Sequence, residues 1–370
     1  MTEQIIPQQE SAGQSTAQNK SLLYIEILRL LAIFLVLFNH TGTNGFFLFS
    51  VSQQSPLYWG YLLLSIFDKI AVPLFFMISG ALLLGKEESL GRLYKKRVLR
   101  FAVLLVGISA FYYMYIYKLT PRQFSVRDFV HALYSENMIA PLWYLYAYLG
   151  ILVMLPLLRC MARHMPAQLY VYLAVWHIFM VGLRPVAEEW LLHDSYRLNS
   201  WFQVPLLVSP TIFFLLMGYF FEKVLDESWY TARFTGIMVV LGAGFLCLAA
   251  LLTHRRAMLM GECNEIVSQK YHDCLIAMPA MAVFFLCKFV CSRVRIGPVW
   301  QKLIVTLGGT TFGIYLLEKV LCDKTEWLLE ALKPRLHILP ACLVWLLVVC
   351  MLGAAVTLVL KKIPVIRKFL

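Results

Sequence analysis

The sequence is poor in charged residues. Only 15% of its 370 residues are charged, whereas 60% are hydrophobic, a balance that is too apolar for an ordinary soluble domain of this length. Apolar runs of about 20 residues recur along the chain, and this is the length that a helix needs to cross the hydrocarbon core of a bilayer. Transmembrane β-strands are shorter and alternate in polarity. The composition therefore predicts an all-α, polytopic membrane helical bundle.

The sequence also lacks metal-ligand spacings, a cleavable leader and an internal repeat. Its nine cysteines form no Cys-x-x-Cys motif, so we predict no metal and interpret them as small buried hydrophobic residues. Cys263 and Cys274 could share the outer side and form a disulfide. Residues 1–20 have no apolar core, which argues against a signal peptide and predicts a disordered cytoplasmic tail. The missing repeat counts against many secondary transporters.

Ten apolar segments are predicted to span the membrane. Lysine and arginine concentrate in segments 85–100 and 287–302 and at the C-terminus, so the positive-inside rule predicts that both termini are cytoplasmic. The formal net charge of +12 then indicates topology, and we expect no nucleic-acid partner. A single transmembrane domain is predicted over residues 21–362, followed by a short basic cytoplasmic tail at 363–370. The predicted spans are 22–44, 57–84, 101–117, 141–158, 168–183, 204–221, 235–253, 271–290, 303–321 and 338–360.

The first predicted span contains three ionisable side chains, Glu26, Arg29 and His40. Such groups are costly in hydrocarbon and often mark function. Glu26 and Arg29 are three residues apart and can pair on one helix face. Arg29 and His40 are eleven residues apart, so they share a face about 16 Å apart along the axis, and all three side chains are predicted to face one interior cavity. Alternatively, Glu26 and Arg29 only set topology as an ion pair at the inner interface, and His40 is a residue at a helix end.

The histidine and the arginines are residue types that suit proton transfer and phosphate binding. Histidine titrates near neutral pH and can serve either as a general base or as a nucleophile. Guanidinium groups bind phosphate through paired hydrogen bonds, and Arg97 and Arg100 on the predicted cytoplasmic rim could do so. These two arginines could also set topology and contact anionic lipid. Asp68 and Lys69, just before Pro73, are interpreted as a second buried pair whose role could be structural.

Five features together resemble the acyltransferase-3 family, the integral-membrane acyltransferases of bacterial surface glycans. One is the Arg29–His40 spacing, with Glu26 three positions before the arginine. The other four follow in the family's order, and the similarity covers about residues 20 to 360. They are Val72–Gly80 in the second span, Arg97-Val-Leu-Arg100 in the first cytoplasmic loop, Pro141–Tyr146 followed by Leu155-Pro156, and Phe312–Leu316 in the ninth span.

The resemblance implies an acyl-CoA-dependent O-acyltransferase of the bacterial inner membrane, with acetyl-CoA as the donor. A cell-surface glycan or its lipid-linked saccharide precursor is the implied acceptor, and membrane lipids are the other expected partners. The resemblance implies that His40 is catalytic and that Arg29, Arg97 and Arg100 bind the donor. Supporting roles are predicted for Glu26, Asn39, Asp68, Lys69, Ser79, Trp143, Tyr315 and Glu318.

Three of the supporting positions have alternative interpretations. Many family members carry a histidine where this chain has Glu318 followed by Lys319. Glu318 could be a carboxylate that faces the site, or merely a partner for Lys319 at the outer interface, and we prefer the second interpretation. Ser79 precedes a glycine in an apolar span without a Gly-x-Ser-x-Gly elbow, so it indicates close helix packing and not a hydrolase nucleophile. Trp143 belongs either to an interfacial aromatic belt or to a sugar-stacking platform.

The alternative function is a transporter or exporter of a glycan precursor without acyl-transfer chemistry. It predicts solute movement without consumption of coenzyme A, and normal function after His40→Ala. The absent repeat, the basic rim and the Arg29–His40 spacing favour the enzyme. Since Arg29 is predicted to lie in the inner half of its span and His40 in the outer half, the sequence also predicts transfer across the membrane, with the donor inside and the acceptor outside.

Overall fold

A computed structural model describes the backbone of residues 8–118, 124–191, 196–260 and 275–370. It describes the side chains of the same residues except 8–22, 207 and 260. Cys263 and Cys274, the predicted disulfide candidates, lie outside the described residues, as do residues 1–7 and the start of the eighth predicted span. The backbone is already helical from Gln8 onward, inside the segment 1–20 for which the sequence predicts a disordered tail.

The described residues form helices and no strand, which confirms the all-α fold class. Three π-helical segments, Tyr94–Val98, Phe179–Leu183 and Phe220–Val224, continue shorter helices. The α-helices in chain order are α1 (Gln8–Asn39), α2 (Leu48–Val51), α3 (Tyr58–Asp68), α4 (Ala71–Leu83), α5 (Leu90–Leu93), α6 (Leu99–Tyr117), α7 (Val126–Ser135), α8 (Trp143–His164), α9 (Ala167–Ile178), α10 (Arg184–Trp190), α11 (Pro205–Val208), α12 (Pro210–Tyr219), α13 (Ala232–Met260), α14 (Ala277–Arg293), α15 (Pro298–Gly308), α16 (Thr311–Leu332), α17 (Ile338–Leu360) and α18 (Pro364–Arg367).

Several of these helices are suited to a bilayer. Within the described ranges, six helical segments are long and apolar enough to cross a membrane, and the bent pair α15–α16 would make a seventh. The predicted total of ten spans and the cytoplasmic position of both termini stay predictions. The six segments are Tyr58–Leu83, Leu90–Tyr117, Ala140–His164, Ala167–Trp190, Ala232–Leu259 and Ile338–Leu360.

The chain forms two compact units. The first unit comprises Met1–Ala81 and Pro166–Val359, and the second comprises Leu82–Met165 and Leu360–Leu370. Within the first unit, α1 packs against α3, α14, α15 and α16. Between Leu23 and Asn39 this helix contains neither glycine nor proline, and Leu28 is fully buried in this packing. Helix α1 is therefore the central element of the first unit.

The predicted ninth span is not one continuous helix. Helices α15 and α16 are bent by 56° at a short break that contains Gly309 and Thr310. Glycine weakens a helix interior, and the hydroxyls of Thr310 and Thr311 donate to the carbonyls of Leu307 and Gly308 at 2.6 and 2.8 Å. Because hydroxyls that bond locally to the backbone bend helices, the sequence at this point explains the break.

Two glycines allow the backbones of α4 and α12 to contact each other directly. A Cβ built on Gly80 would lie 1.8 Å from the Leu215 carbonyl oxygen, and one built on Gly218 would lie 1.9 Å from the Met77 carbonyl oxygen. The two contacts are reciprocal and leave no room for a side chain at either glycine. The interpretation of the Ser79–Gly80 stretch as a site of close helix packing is therefore confirmed for its glycine.

We expect Gly80→Ala to destabilise the first unit by about 1–3 kcal/mol, because α4 and α12 must separate to admit the methyl group. Thermal unfolding of the purified protein in detergent measures this change. The matched control is Gly244→Ala in α13, where an added Cβ meets nothing within 4 Å, so its melting temperature should be unchanged or slightly raised. Equal melting temperatures for Gly80→Ala and the wild type would contradict the close approach.

Candidate active site

The C-terminal end of α1 places a histidine beside a buried carboxylate. Helix α1 ends at Asn39, and His40 follows in a turn, with its backbone amide donating to the Leu37 carbonyl at 3.2 Å. The His40 Nδ1 atom lies 3.0 Å from Oε1 of Glu318 on α16. The Glu318 side chain is 3% exposed, whereas that of His40 is 36% exposed. The pair therefore has a buried acidic partner and an accessible imidazole.

The contact with Glu318 has a consequence for the tautomer of His40. A carboxylate accepts hydrogen bonds, so a neutral imidazole in this position donates through Nδ1–H and carries its lone pair on Nε2. The Glu318 carboxylate also fixes the orientation of the imidazole ring. The arrangement is that of a base held by an acidic partner, which is the geometry required to take a proton from a hydroxyl.

The preferred interpretation of Glu318 is wrong. Glu318 is buried, with 2% of its surface exposed, and it contacts His40, whereas the Lys319 ammonium lies 2.6 Å from Oδ1 of Asp323 one turn further on. Consecutive residues on a helix point in different directions, so Glu318 and Lys319 belong to different faces of α16. Glu318 is the carboxylate that faces the site.

Beside His40, Asn39 and Asp68 form a buried polar contact. The Asn39 amide donates to Oδ2 of Asp68 at 2.8 Å, and Asp68 is fully buried at the end of α3. The Lys69 ammonium instead lies 4.5 Å from the centre of the Phe46 ring. The charges of Asp68 and Lys69 interact, as expected for a buried pair, but without a direct contact. Asp68 instead connects α3 to the end of α1 through Asn39.

Glu26 and Arg29, which precede His40 on α1, form the ion pair that their spacing predicts. The Arg29 guanidinium donates to Oε1 of Glu26 at 2.7 Å, and 29% of the Arg29 side chain is exposed. The other carboxylate oxygen of Glu26 is buried without a hydrogen-bond partner. A Cβ built on Gly308 would lie 2.2 Å from this oxygen. The break between α15 and α16 thus packs directly on Glu26.

A polar cluster that the sequence does not predict holds the middle of α1, at Tyr24. The Tyr24 hydroxyl donates to Oε2 of Glu222 at 2.5 Å, and the Lys288 ammonium lies 3.0 Å from the same oxygen. Lys288 also donates to the Phe221 carbonyl at 2.8 Å. The three ionisable partners come from three elements that are distant in the chain, α1, the segment after α12, and α14, so the sequence spacing does not indicate their contact.

Arg97 and Arg100, for which the sequence predicts donor binding, lie in the second unit. Arg97 Nε donates to Oε2 of Glu88 at 2.8 Å, and Arg159 Nη2 lies 3.4 Å from the same oxygen. Partial burial raises the pKa of Glu88. Hydrogen bonds from Arg97 and Arg159, together with their positive charges, lower it by more, so the pKa lies below its usual range. Arg100, at the start of α6, is exposed. Arg159 was not predicted, because it follows the fourth predicted span and reads as a topological charge.

The remaining predicted site residues lie in more ordinary environments. The Ser79 hydroxyl donates to the Phe75 carbonyl of its own helix at 2.8 Å. Trp143 begins α8 and is exposed, and Tyr315 is buried on α16 with its ring 6.3 Å from that of Phe312. Among the described residues, no group of three or more His, Cys, Asp or Glu could hold a metal ion.

The chain matches the model of a known protein family. The model of the acyltransferase-3 family, described as an acyltransferase domain, matches residues 22–360. Comparisons with curated proteins and with solved structures give no match. The matched range contains His40, Glu318, Glu26 and Arg29 and also the basic loop of the second unit.

We expect Glu88→Gln to destabilise the protein at neutral pH by roughly 1–3 kcal/mol, because the buried Arg159 loses its charged partner. Since the folded-state pKa of Glu88 is lowered, its contribution is fully present above the unfolded-state pKa of about 4.3 and is lost as the pH falls through the folded-state value. Melting temperatures of wild type and variant, measured from neutral to acidic pH, should therefore converge at low pH.

The matched control for Glu88→Gln is Glu87→Gln. The Glu87 side chain is 85% exposed and lies 3.2 Å from Arg163, so its removal should change stability little. A Glu88→Gln protein that melts like the control at neutral pH would show that the bridge between Arg97 and Arg159 does not stabilise this unit.

Proposed function

The chain belongs to the acyltransferase-3 family, and from this premise we propose that it moves an acyl group, in the first place acetyl, from acyl-CoA to a hydroxyl of a cell-surface glycan or of its lipid-linked precursor. Family membership makes the chain a multi-pass membrane acyltransferase. The donor, the acceptor and the location in the bacterial inner membrane are our proposal.

The observation that carries the chemistry is the contact between His40 and Glu318. Acyl transfer from a thioester to a hydroxyl requires a base near the hydroxyl, and an imidazole is suited to this at neutral pH. His40 is accessible and its Nδ1 atom is occupied by a buried carboxylate at 3.0 Å. The Nε2 atom is therefore the basic atom that can meet the acceptor.

The proposed reaction is a direct displacement assisted by this pair. His40 Nε2 takes the proton of the acceptor hydroxyl while the hydroxyl oxygen attacks the thioester carbonyl carbon. The carbon–sulfur bond then breaks, and His40 returns the proton to the departing thiolate, so that an ester and free coenzyme A are formed. Glu318 stabilises the imidazolium that forms between the two proton transfers.

Arg29 is the proposed contact for the phosphates of the donor. Its guanidinium is partly exposed and is oriented by Glu26 at 2.7 Å, and guanidinium groups bind phosphate in paired hydrogen bonds. About 16 Å of helix separates Arg29 from His40, so the donor must be a long molecule with its anionic and reactive ends far apart. Coenzyme A thioesters have this form, and Arg97 and Arg100 are proposed as further donor contacts.

The predicted topology adds a direction to the proposal. If the N-terminus is cytoplasmic, Arg29 lies towards the cytoplasm and His40 towards the outer side, so that the donor enters from within and the acceptor from outside. Purified protein in sealed vesicles tests this point. Acylation when donor and acceptor are both confined to the face that Arg29 approaches would contradict transfer across the membrane.

We expect His40→Ala to remove the acyl group from the surface glycans of cells that depend on this chain. Loss of a general base lowers the rate by on the order of 10²–10⁴-fold, which is enough to abolish the modification in cells. Mass spectrometry of surface glycans compares cells that make the wild type with cells that make the variant, with equal membrane levels confirmed by immunoblot.

The control for this experiment is His131→Ala, which replaces an exposed histidine on α7 and should leave the glycans unchanged. An acyl mass that persists in the His40→Ala cells would count against the enzyme. Movement of a glycan precursor by that variant without consumption of coenzyme A would support the transporter instead.

We expect Glu318→Gln to lower kcat by about 10²–10⁴-fold, because an amide can orient His40 in the wrong tautomer and cannot stabilise the imidazolium. The donor KM should change little, since Glu318 contacts His40, which is eleven residues from Arg29. Release of free thiol by the purified protein measures both constants. The matched control is Asp323→Asn on the same helix, and a Glu318→Gln enzyme with the control's kcat would refute the proposed role.

A further inference from the structure

The second unit contains a cavity that the proposed reaction does not use. It has a volume of about 350 Å³ and lies between segment 86–93 and the last two turns of α8. All of its lining residues belong to the second unit. Its lining combines three cations, Lys86, Arg159 and Arg163, with the apolar side chains of Leu90, Leu93 and Pro156.

The positive charge of this cavity is only partly neutralised. Glu88 is bound by two guanidinium groups, from Arg97 and Arg159, so it cannot balance the others as well. Glu87 lies 3.2 Å from Arg163, but its side chain is 85% exposed, and such surface pairs contribute little. Lys86 and Arg163 are therefore available to an anionic ligand, which can replace Glu87 beside Arg163.

The apolar side of the cavity continues onto the surface of the unit. Leu90, which lines the cavity beside the lining residues Leu93 and Pro156, is 61% exposed. A large exposed apolar side chain at the mouth of a cationic cavity matches a ligand that has both an anionic group and hydrocarbon. A free anion would use only the cations and would leave Leu90 exposed.

We propose that this cavity binds the phosphate headgroup of an anionic phospholipid, with Lys86 and Arg163 on the phosphate and the acyl chains along Leu90. Basic pockets between helices at the cytoplasmic end of a membrane protein are suited to anionic headgroups, and the charge distribution predicts that segment 85–100 faces the cytoplasm. Arg159 is 6% exposed and forms the buried part of the cavity lining, where it donates to the Leu83 carbonyl and to Glu88.

The test compares lipid binding to the full-length protein with and without the two accessible cations. Native mass spectrometry of the detergent-purified protein, titrated with phosphatidylglycerol or with phosphatidylcholine, should show selective retention of phosphatidylglycerol. The Lys86→Gln/Arg163→Gln variant should bind phosphatidylglycerol roughly 25-fold more weakly, about fivefold for each lost cation near an anionic headgroup. Lys86→Gln alone, which leaves the Arg163 contacts in place, should show about a fivefold loss if the double variant does not fold.

The control is Lys95→Gln/Lys96→Gln, which removes the same charge from exposed positions of the same basic segment outside the cavity. It should bind phosphatidylglycerol as the wild type does. Equal weakening in the control and in the cavity variants would show attraction to the whole basic surface and would overturn the site.

Two further measurements separate a lipid from other phosphates. Inorganic phosphate or coenzyme A, added at equal concentration, should not displace phosphatidylglycerol, and displacement by either would show that the cavity takes a soluble phosphate instead. The assay can be repeated on the His40→Ala protein, which should bind the lipid normally. The lipid site and the acyl-transfer reaction can therefore fail independently.

Discussion

A carboxylate inside an apolar helix bundle needs a cation or a hydrogen-bond donor beside it, because an uncompensated charge there costs several kcal/mol. This constraint organises the first unit, since every carboxylate that it buries near α1 is tied to that helix or to the residue that follows it. The contacts are Glu222 to Tyr24, Glu26 to Arg29, Asp68 to Asn39 and Glu318 to His40. These partners and the apolar packing hold α1 from Tyr24 to Asn39, so the positions of Arg29 and of His40, the residue after the helix, are fixed together.

The sequence could predict what is local and periodic. Runs of apolar residues predict the helices, and the three-residue spacing of Glu26 and Arg29 predicts a contact that the structure contains. The fully buried Asp68 and the pairing of Glu318 with His40 depend on tertiary packing between helices that are distant in the chain. Nothing in the spacing of α16 indicates which of its faces meets α1, so the carboxylate partner of His40 could not be identified from the sequence.

The pairing of Glu318 with Lys319 assumed that opposite charges adjacent in sequence neutralise each other. Consecutive helical residues do not face one another, and Glu318 contacts His40 while Lys319 lies beside Asp323. The charges of Asp68 and Lys69 do interact, but the hydrogen bond to Asp68 comes from Asn39 and the Lys69 ammonium lies over the Phe46 ring. In an apolar helix, the direct partner of a buried carboxylate is therefore better sought on another helix than at the next position of its own.

The break in the ninth predicted span links the two polar pairs of α1. Helix α15 ends at Gly308, whose missing side chain leaves room for the Glu26 carboxylate, and α16 then starts in a new direction and brings Glu318 to His40. The same bend thus sets the environment of the arginine that we propose for the donor and the partner of the histidine that we propose for transfer. A residue larger than glycine at position 308 would collide with the Glu26 side chain. The place of Glu26 beside Arg29 therefore depends on a glycine of another helix.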